Sequence, residues 1–335
     1  MLTTRVLSIA AAAAAATVGA WALLAAAPHG AGHGSGPGHD RGNAAGPYEI
    51  TVRWLPQPPS QGGPVHLLVQ PDSHAVMPTA VRGALAGQQL HFEPVPGGWH
   101  ALGGLPVSAP DSAVLTLEVD YDGDDTMHHF VRVPVASGEF AVERLRVDRR
   151  YVDAPDSALQ ERIARERAQS RAVYARSPDT PRLWSGHFAR PLPGRVTSRF
   201  GTRREFNGEL KSRHWGVDLD GDIGDPVAAT NRGVVALVGD FYYSGNVVYV
   251  DHGRGLITAY LHLSRVDVAQ GDTLERGSLV GRVGATGRVT GPHLHWLVRF
   301  GGVSLDGLKL LELDVSGFVE PETVPRAEEP VAASR

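Results

Sequence analysis

Gly291-Pro292-His293-Leu294-His295-Trp296, continued by Leu297-Val298, sets two imidazoles two residues apart inside an apolar run. Successive side chains in a strand alternate faces, so His293 and His295 share one face while Leu294, Trp296 and Val298 share the other. Two further stretches carry the same signature. In His214-Trp215-Gly216-Val217-Asp218-Leu219 an extended chain puts His214 and Asp218 on one side and Trp215, Val217 and Leu219 on the opposite, buried side. In Tyr260-Leu261-His262-Leu263 the tyrosine and histidine fall on one side and the two leucines on the other. The three stretches together predict a sheet with a polar face that carries four histidines and a carboxylate, the donor set of a catalytic zinc.

Outward from these strands, short β-type runs with glycine turns begin at His187, among them Val196-Thr197-Ser198-Arg199-Phe200, Val234 to Val238, Val247 to Val250 and Leu256 to Tyr260. No helical stretch is expected up to Leu311, so residues 187–312 read as a compact antiparallel β domain, with 313–335 as a tail. Residues 138–186 form a linker holding one clear helix, 156–176, opened by Pro155-Asp156-Ser157 and carrying Glu161/Arg165 and Arg162/Glu166 at i,i+4 spacing. Residues 47–137 alternate in short runs broken by proline and glycine, the rhythm of an all-β sandwich, read here as an immunoglobulin-like module. Its histidines at 66, 74, 91, 100, 128 and 129 are scattered over different runs and are expected to be ordinary surface or hairpin residues. The fold class is therefore mainly β: a β-sandwich module, a linking helix and a C-terminal antiparallel β unit.

Residues 28–46 are glycine, alanine, proline and histidine with almost nothing to bury, a flexible tether. Residues 1–27 place an uncharged apolar run behind Arg5 and end in Ala25-Ala26-Ala27, the pattern of an export signal; the run is also long enough to serve as an uncleaved membrane anchor. Both readings put the rest of the chain outside the cytoplasm, in the periplasm or cell envelope. The 335 residues are 42% hydrophobic, enough for real cores, and a formal net charge of -4 without a basic run leaves no electrostatic footprint for nucleic acid. Cysteine is absent, so a metal here must be held by nitrogen and oxygen.

A catalytic zinc keeps three protein ligands and an open position, and this chain offers five candidates: His214, Asp218, His262, His293 and His295. The two left over are histidines, which can move protons or stabilise an oxyanion beside a zinc-activated water. Residue chemistry leaves open whether His293 or His295 is the ligand.

Over roughly Val196 to Leu311 the sequence resembles the lysostaphin-type zinc metallopeptidases, which cut peptide cross-bridges of peptidoglycan. The resemblance rests on H-x-G-V-D at His214 to Asp218, Y-x-H-L at Tyr260 to Leu263 and G-P-H-L-H-W at Gly291 to Trp296. It extends to Ser198-Arg199-Phe200-Gly201, Gly245-Asn246-x-Val248, Asp251-His252-Gly253 and Thr286-Gly287-Arg288-Val289-Thr290. It implies one zinc per chain held by His214, Asp218 and His295, with His262 and His293 catalytic and peptidoglycan stem peptides and cross-bridges as substrate. One departure is Leu305-Asp306-Gly307, where the family often has Val-Asp-Pro. Some family members have lost ligands and act as noncatalytic activators, so the competing expectation is a wall-binding module or an activator of another hydrolase. A lipoyl-type carrier is excluded because no lysine lies between Lys211 and Lys309. A final expectation is that the β module and its helix fold over the cleft and limit access to it.

Overall fold

The computed structural model describes residues 48–316 apart from 73–74, 124, 152–154 and 209. The export segment, the 28–46 tether, His74 and the tail beyond 316 lie outside the described residues. Among those described, no helix is long and apolar enough to cross a membrane.

The N-terminal module has eight strands, β1 (Ile50–Leu55), β2 (Pro64–Pro71), β3 (Ala80–Leu85), β4 (Gln88–Leu90), β5 (Glu93–Val95), β6 (Gly98–Gly104), β7 (Ser112–Asp120) and β8 (Thr126–Pro134). They form two four-stranded sheets, β1-β2-β6-β5 and β4-β3-β7-β8, with antiparallel pairing throughout. The period-2 pattern decides which side chains go inside: Val65, Leu67 and Val69 of β2 and Leu115, Leu117 and Val119 of β7 are all buried. His100 departs from the surface reading. It is 2% exposed, its ring centroid lies 5.5 Å from that of His66, and burial pushes its pKa down to about 4, so it is a neutral core residue.

Two linker elements dock on the C-terminal part of the chain. The strand β9 (Val142–Leu145) pairs in parallel with Arg203–Phe206 far downstream, and α1 (Ser157–Arg176) matches the predicted helix. Asp156 caps α1 by accepting from the Leu159 N–H at 2.8 Å, and Arg162 and Glu166 pair at 2.7 Å. Beyond the helix, Ser177 and Thr180 donate their hydroxyls to the Asp251 carboxylate, which pins the end of the linker.

The C-terminal part contains β10 (Val196–Ser198), β11 (Arg203–Phe206), β12 (Leu210–Arg213), β13 (Val217–Asp220), β14 (Pro226–Ala228), β15 (Gly233–Phe241), β16 (Gly245–Gly253) and β17 (Leu256–Leu263). It continues with β18 (Arg265–Val266), β19 (Thr273–Leu274), β20 (Leu279–Arg282), β21 (His293–Phe300), β22 (Val303–Leu305) and α2 (Gly307–Glu312). Its main sheet runs β10-β13-β21-β17-β16-β15-β19, with β22 paired to β21 and antiparallel pairing throughout. β17 is buried along its whole length because both faces are covered: Tyr260 and Leu263 join the large core, while Ile257, Ala259 and Leu261 join a second cluster with Val173 of α1. α2 corrects the expectation of no helix before Leu311. Asp306 accepts from the Leu308 N–H and caps it, so the Leu305-Asp306-Gly307 departure opens a helical turn.

Module and main sheet share one core, in which Leu305, Leu310, Leu313 and Val315 pack with the module's apolar residues. Polar links cross the same boundary: Arg182 to Glu93 at 2.8 Å, Gly302 N–H to Gln88 at 2.8 Å, and His66 Nδ1 to the Asp314 carbonyl at 2.9 Å.

Candidate metal centre

Register brings the first two donors together. In the antiparallel pair β13/β21, Asp218 lies directly opposite His295 and Asp220 opposite His293, so Asp218 and His295 project side by side from one face. β21 alternates as expected, with Leu294, Trp296, Val298 and Phe300 in the core and His293, His295, Leu297 and Arg299 on the half-open face.

His214 sits three residues before β13, held by its N–H to the Thr202 carbonyl and by the Gly201 N–H to its own carbonyl, both at 2.8 Å. Gly216 makes the approach of this segment to β21 feasible. A Cβ there would lie 2.5 Å from the Trp296 carbonyl oxygen and 2.6 Å from His295 Nε2. Trp215 corrects the burial expectation: it is 43% exposed at the rim, edge-on to Phe200, because the chain is not yet in strand conformation there.

His214 Nε2, Asp218 Oδ1 and His295 Nδ1 form a triangle with sides of 2.9, 2.9 and 2.8 Å. His214 Nδ1 donates to the Arg199 carbonyl at 2.9 Å, which leaves Nε2 as a bare lone pair in the neutral ring. That lone pair faces a carboxylate oxygen, an arrangement a cation at the centre of the triangle satisfies. Burial pushes the His295 pKa down to about 4, so its ring is neutral at pH 7, the state a metal ligand needs. The donor set thus fits a divalent ion of nitrogen and oxygen preference. Among the described residues this is the one group of three such side chains able to hold a metal.

His262 and His293 stand beside the triangle with ring centroids 5.0 Å apart; His262 lies 5.9 Å from His295, and His293 Nε2 lies 3.7 Å from Asp218 Oδ1. Each has its Nδ1 at a backbone carbonyl, Thr286 at 2.8 Å for His262 and Gly291 at 2.9 Å for His293. His262, neutral by burial, therefore keeps Nε2 as an acceptor. Burial, helped by His295 and His293, pushes the His262 pKa down to about 3.

The alternation expected for Tyr260-Leu261-His262-Leu263 fails at its third residue. His262 has φ +63°, and the β16/β17 register shifts there, so a bulge turns His262 toward the site while Tyr260 stays in the core. The Tyr260 hydroxyl accepts from the Thr230 N–H at 3.0 Å and plays no part in the cleft. The quoted Gly245-Asn246 and Thr286 positions frame this bulge: Thr286 Oγ1 accepts from Asn246 N–H and donates to the Leu263 carbonyl, both at 3.0 Å. His252 is fully buried, bonded through Nδ1 to the Arg232 carbonyl and through Nε2 to Thr258, and is no part of the centre.

Sequence reasoning missed Arg204 and Glu143. Arg204 donates to Asp218 Oδ2 at 2.6 Å, to Ser198 Oγ at 2.7 Å and to Glu143 at 3.2 Å, which orients the carboxylate from behind. Glu143 reaches the site only through the parallel β9/β11 pairing, and no local pattern announces such a long-range contact. The triangle and the two further histidines line a cleft of about 510 Å³ walled by Leu145, Val147, Phe206, Trp215 and Arg288.

The profile of Peptidase family M23 matches residues 212–307. The peptidoglycan DD-endopeptidase ShyC of Vibrio cholerae is 40% identical over 111 residues, 32% of this chain and 25% of that protein. The DD-carboxypeptidase/endopeptidase Mpg of Neisseria meningitidis is 37% identical over 131 residues, 37% of this chain and 30% of that protein. The chain thus spans about a quarter to a third of the length of these curated relatives. A crystal structure of an M23 peptidase candidate from Pseudomonas aeruginosa superposes with a TM-score of 0.56 at 30% identity, covering 76% of this chain and 95% of that one, so the likeness reaches well beyond the cleft. On these matches the chain belongs to peptidase family M23.

Proposed function

We propose that this chain is a zinc-dependent endopeptidase of the cell envelope that hydrolyses peptide cross-links of peptidoglycan. The observation that carries the reading is the convergence of His214 Nε2, Asp218 Oδ1 and His295 Nδ1 within 4.8 Å of one another, with two more histidines alongside. His214, Asp218 and His295 hold the ion. A zinc bound there supplies Lewis acidity and lowers the pKa of water to about 7. His262 and His293 are the catalytic histidines: one Nε2 takes the proton of the attacking water and passes that proton on to the leaving amine, while the other ring lies beside the carbonyl where the oxyanion develops. Their Nδ1 bonds to fixed carbonyls keep both rings aimed before substrate arrives.

The names of ShyC and Mpg support a link between D-amino acids as the bond cut. The apolar run of residues 1–27 supports export to the periplasm, with or without retention at the inner membrane.

The test is His293→Ala assayed on purified peptidoglycan, with metal content measured in parallel. The expected result is loss of digestion with zinc near one per chain. A variant that still digests at the wild-type rate, or a wild type that binds wall without releasing muropeptides, overturns the reading and favours a binding module.

A further inference from the structure

The half-open face of β21 does not end at His295. Leu297 and Arg299 follow on the same side, which puts Arg299 about 13 Å along the strand from the metal ligand at roughly 3.3 Å per residue. Two cavities flank it. One of about 370 Å³ runs under α1 between Arg167, Arg171 and Tyr249, and one of about 480 Å³ runs past Trp215 and Ser304; Arg299 and Tyr174 line both. The first shares Tyr243 and Ser244 with the metal cleft, and the second shares Trp215 and Leu297 with it, so the three cavities form one groove.

The charge in this groove is unbalanced. Arg299 stacks on Tyr174, 4.3 Å from guanidinium carbon to ring centroid. It donates to the Gly302 carbonyl at 2.8 Å and weakly to Ser304 Oγ at 3.4 Å. Its Nε is buried without a hydrogen-bond partner, and among the described residues it has no carboxylate counter-ion. Arg167 and Arg171 are exposed on the α1 wall above it. The one acid lining this part, Glu166, is already engaged by Arg162 and by the Tyr242 N–H. Three guanidiniums beside aromatic walls, in a chain of net charge -4, make a local site for a planar anion, and a guanidinium fixed by stacking is preorganised for a carboxylate.

Resting on the peptidoglycan reading above, we propose that Arg299, with Arg167 and Arg171 around it, is a subsite for a free carboxylate of the peptide stem, separate from the metal. It fixes the substrate's register so that the cross-link amide lies at His295.

The test is equilibrium binding, which needs no turnover. The probe is a cross-linked muropeptide dimer whose cross-link amide is replaced by a reduced CH2–NH isostere, prepared with its other carboxylates either free or amidated. The expected result is wild-type binding at least tenfold tighter to the free acid, a preference abolished in Arg299→Gln and partly kept in Arg299→Lys. The exposed pair Arg167→Gln/Arg171→Gln, which removes no buried contact, is expected to weaken free-acid binding about threefold at low salt and less at high salt. Equal wild-type affinity for the two probes, or full preference in folded Arg299→Gln, overturns the proposal. Digestion of wall is a separate readout. Its absence together with a retained carboxylate preference sinks the endopeptidase reading while supporting the subsite.

Discussion

Gly216 and Arg204 show how much of the centre is set by residues that bind nothing. The donors His214, Asp218 and His295 were legible because strand alternation and motif spacing place them, although the choice of His295 over His293 needed the family resemblance. Their support was less legible: Gly216 matters because a Cβ there would meet the β21 backbone at 2.5 Å, an approach no local pattern contains. Gly216→Ala is expected to displace His295 and cut zinc affinity at least tenfold with all donors intact, measured by competition with a chromophoric chelator. Arg204→Met removes the bond to Asp218 Oδ2 and leaves Glu143 without its cation. It is expected to weaken zinc binding by about 10–100-fold, the usual size for an outer partner of a ligand. Unchanged affinity in either variant would contradict the account of these supports.

Elements were legible where one period dominates. β21 and α1 fall where the alternation and the unbroken helix-forming run put them, and Asp156 caps the helix as its position suggested. β17 was misread because a bulge breaks period 2 inside four residues: His262 turns away from Tyr260 at φ +63°. Thr286 on the far loop holds that bulge, through its carbonyl to His262 Nδ1 and its hydroxyl to the Leu263 carbonyl. Thr286→Ala is therefore expected to lower kcat about tenfold with zinc content unchanged, and a parallel loss of zinc would show that the bulge serves the metal instead. At α2, a Cβ on Gly307 would come within 2.6 Å of the Trp296 ring. Gly307→Ala should cost about 1–3 kcal/mol of stability in denaturant unfolding, the usual size for overpacking.

At the scale of the whole molecule, the linker forms part of the wall of the cleft. β9 supplies Glu143, and Leu145 and Val147 line the cleft near it, while α1 covers one end of the same sheet face. Sequence could not show this, because β9 pairs with β11 across some 60 residues. Beside the expectation that the β module and its helix limit access stands a second one, that the linker supports the cleft. Residues 187–335 alone should unfold at lower denaturant and digest wall more slowly than residues 48–335; a fragment more active than the longer chain would favour the inhibitory view. Stability should also depend on pH through His252, fully buried and pushed down to about 4 by burial. The unfolded histidine takes its proton near 6.5, so this contribution is complete above that pH and is lost as pH falls toward 4. Between pH 7 and 4.5 the wild type should lose about 2–3 kcal/mol more than His252→Gln, and parallel losses would remove His252 from the account.

All of this depends on one ion lying among three particular atoms. Anomalous diffraction at the zinc edge from crystals of the purified protein tests that directly. The account predicts a single peak within about 2.0–2.2 Å of His214 Nε2, Asp218 Oδ1 and His295 Nδ1. A peak on any other set of residues, or none in protein that digests peptidoglycan, would contradict it.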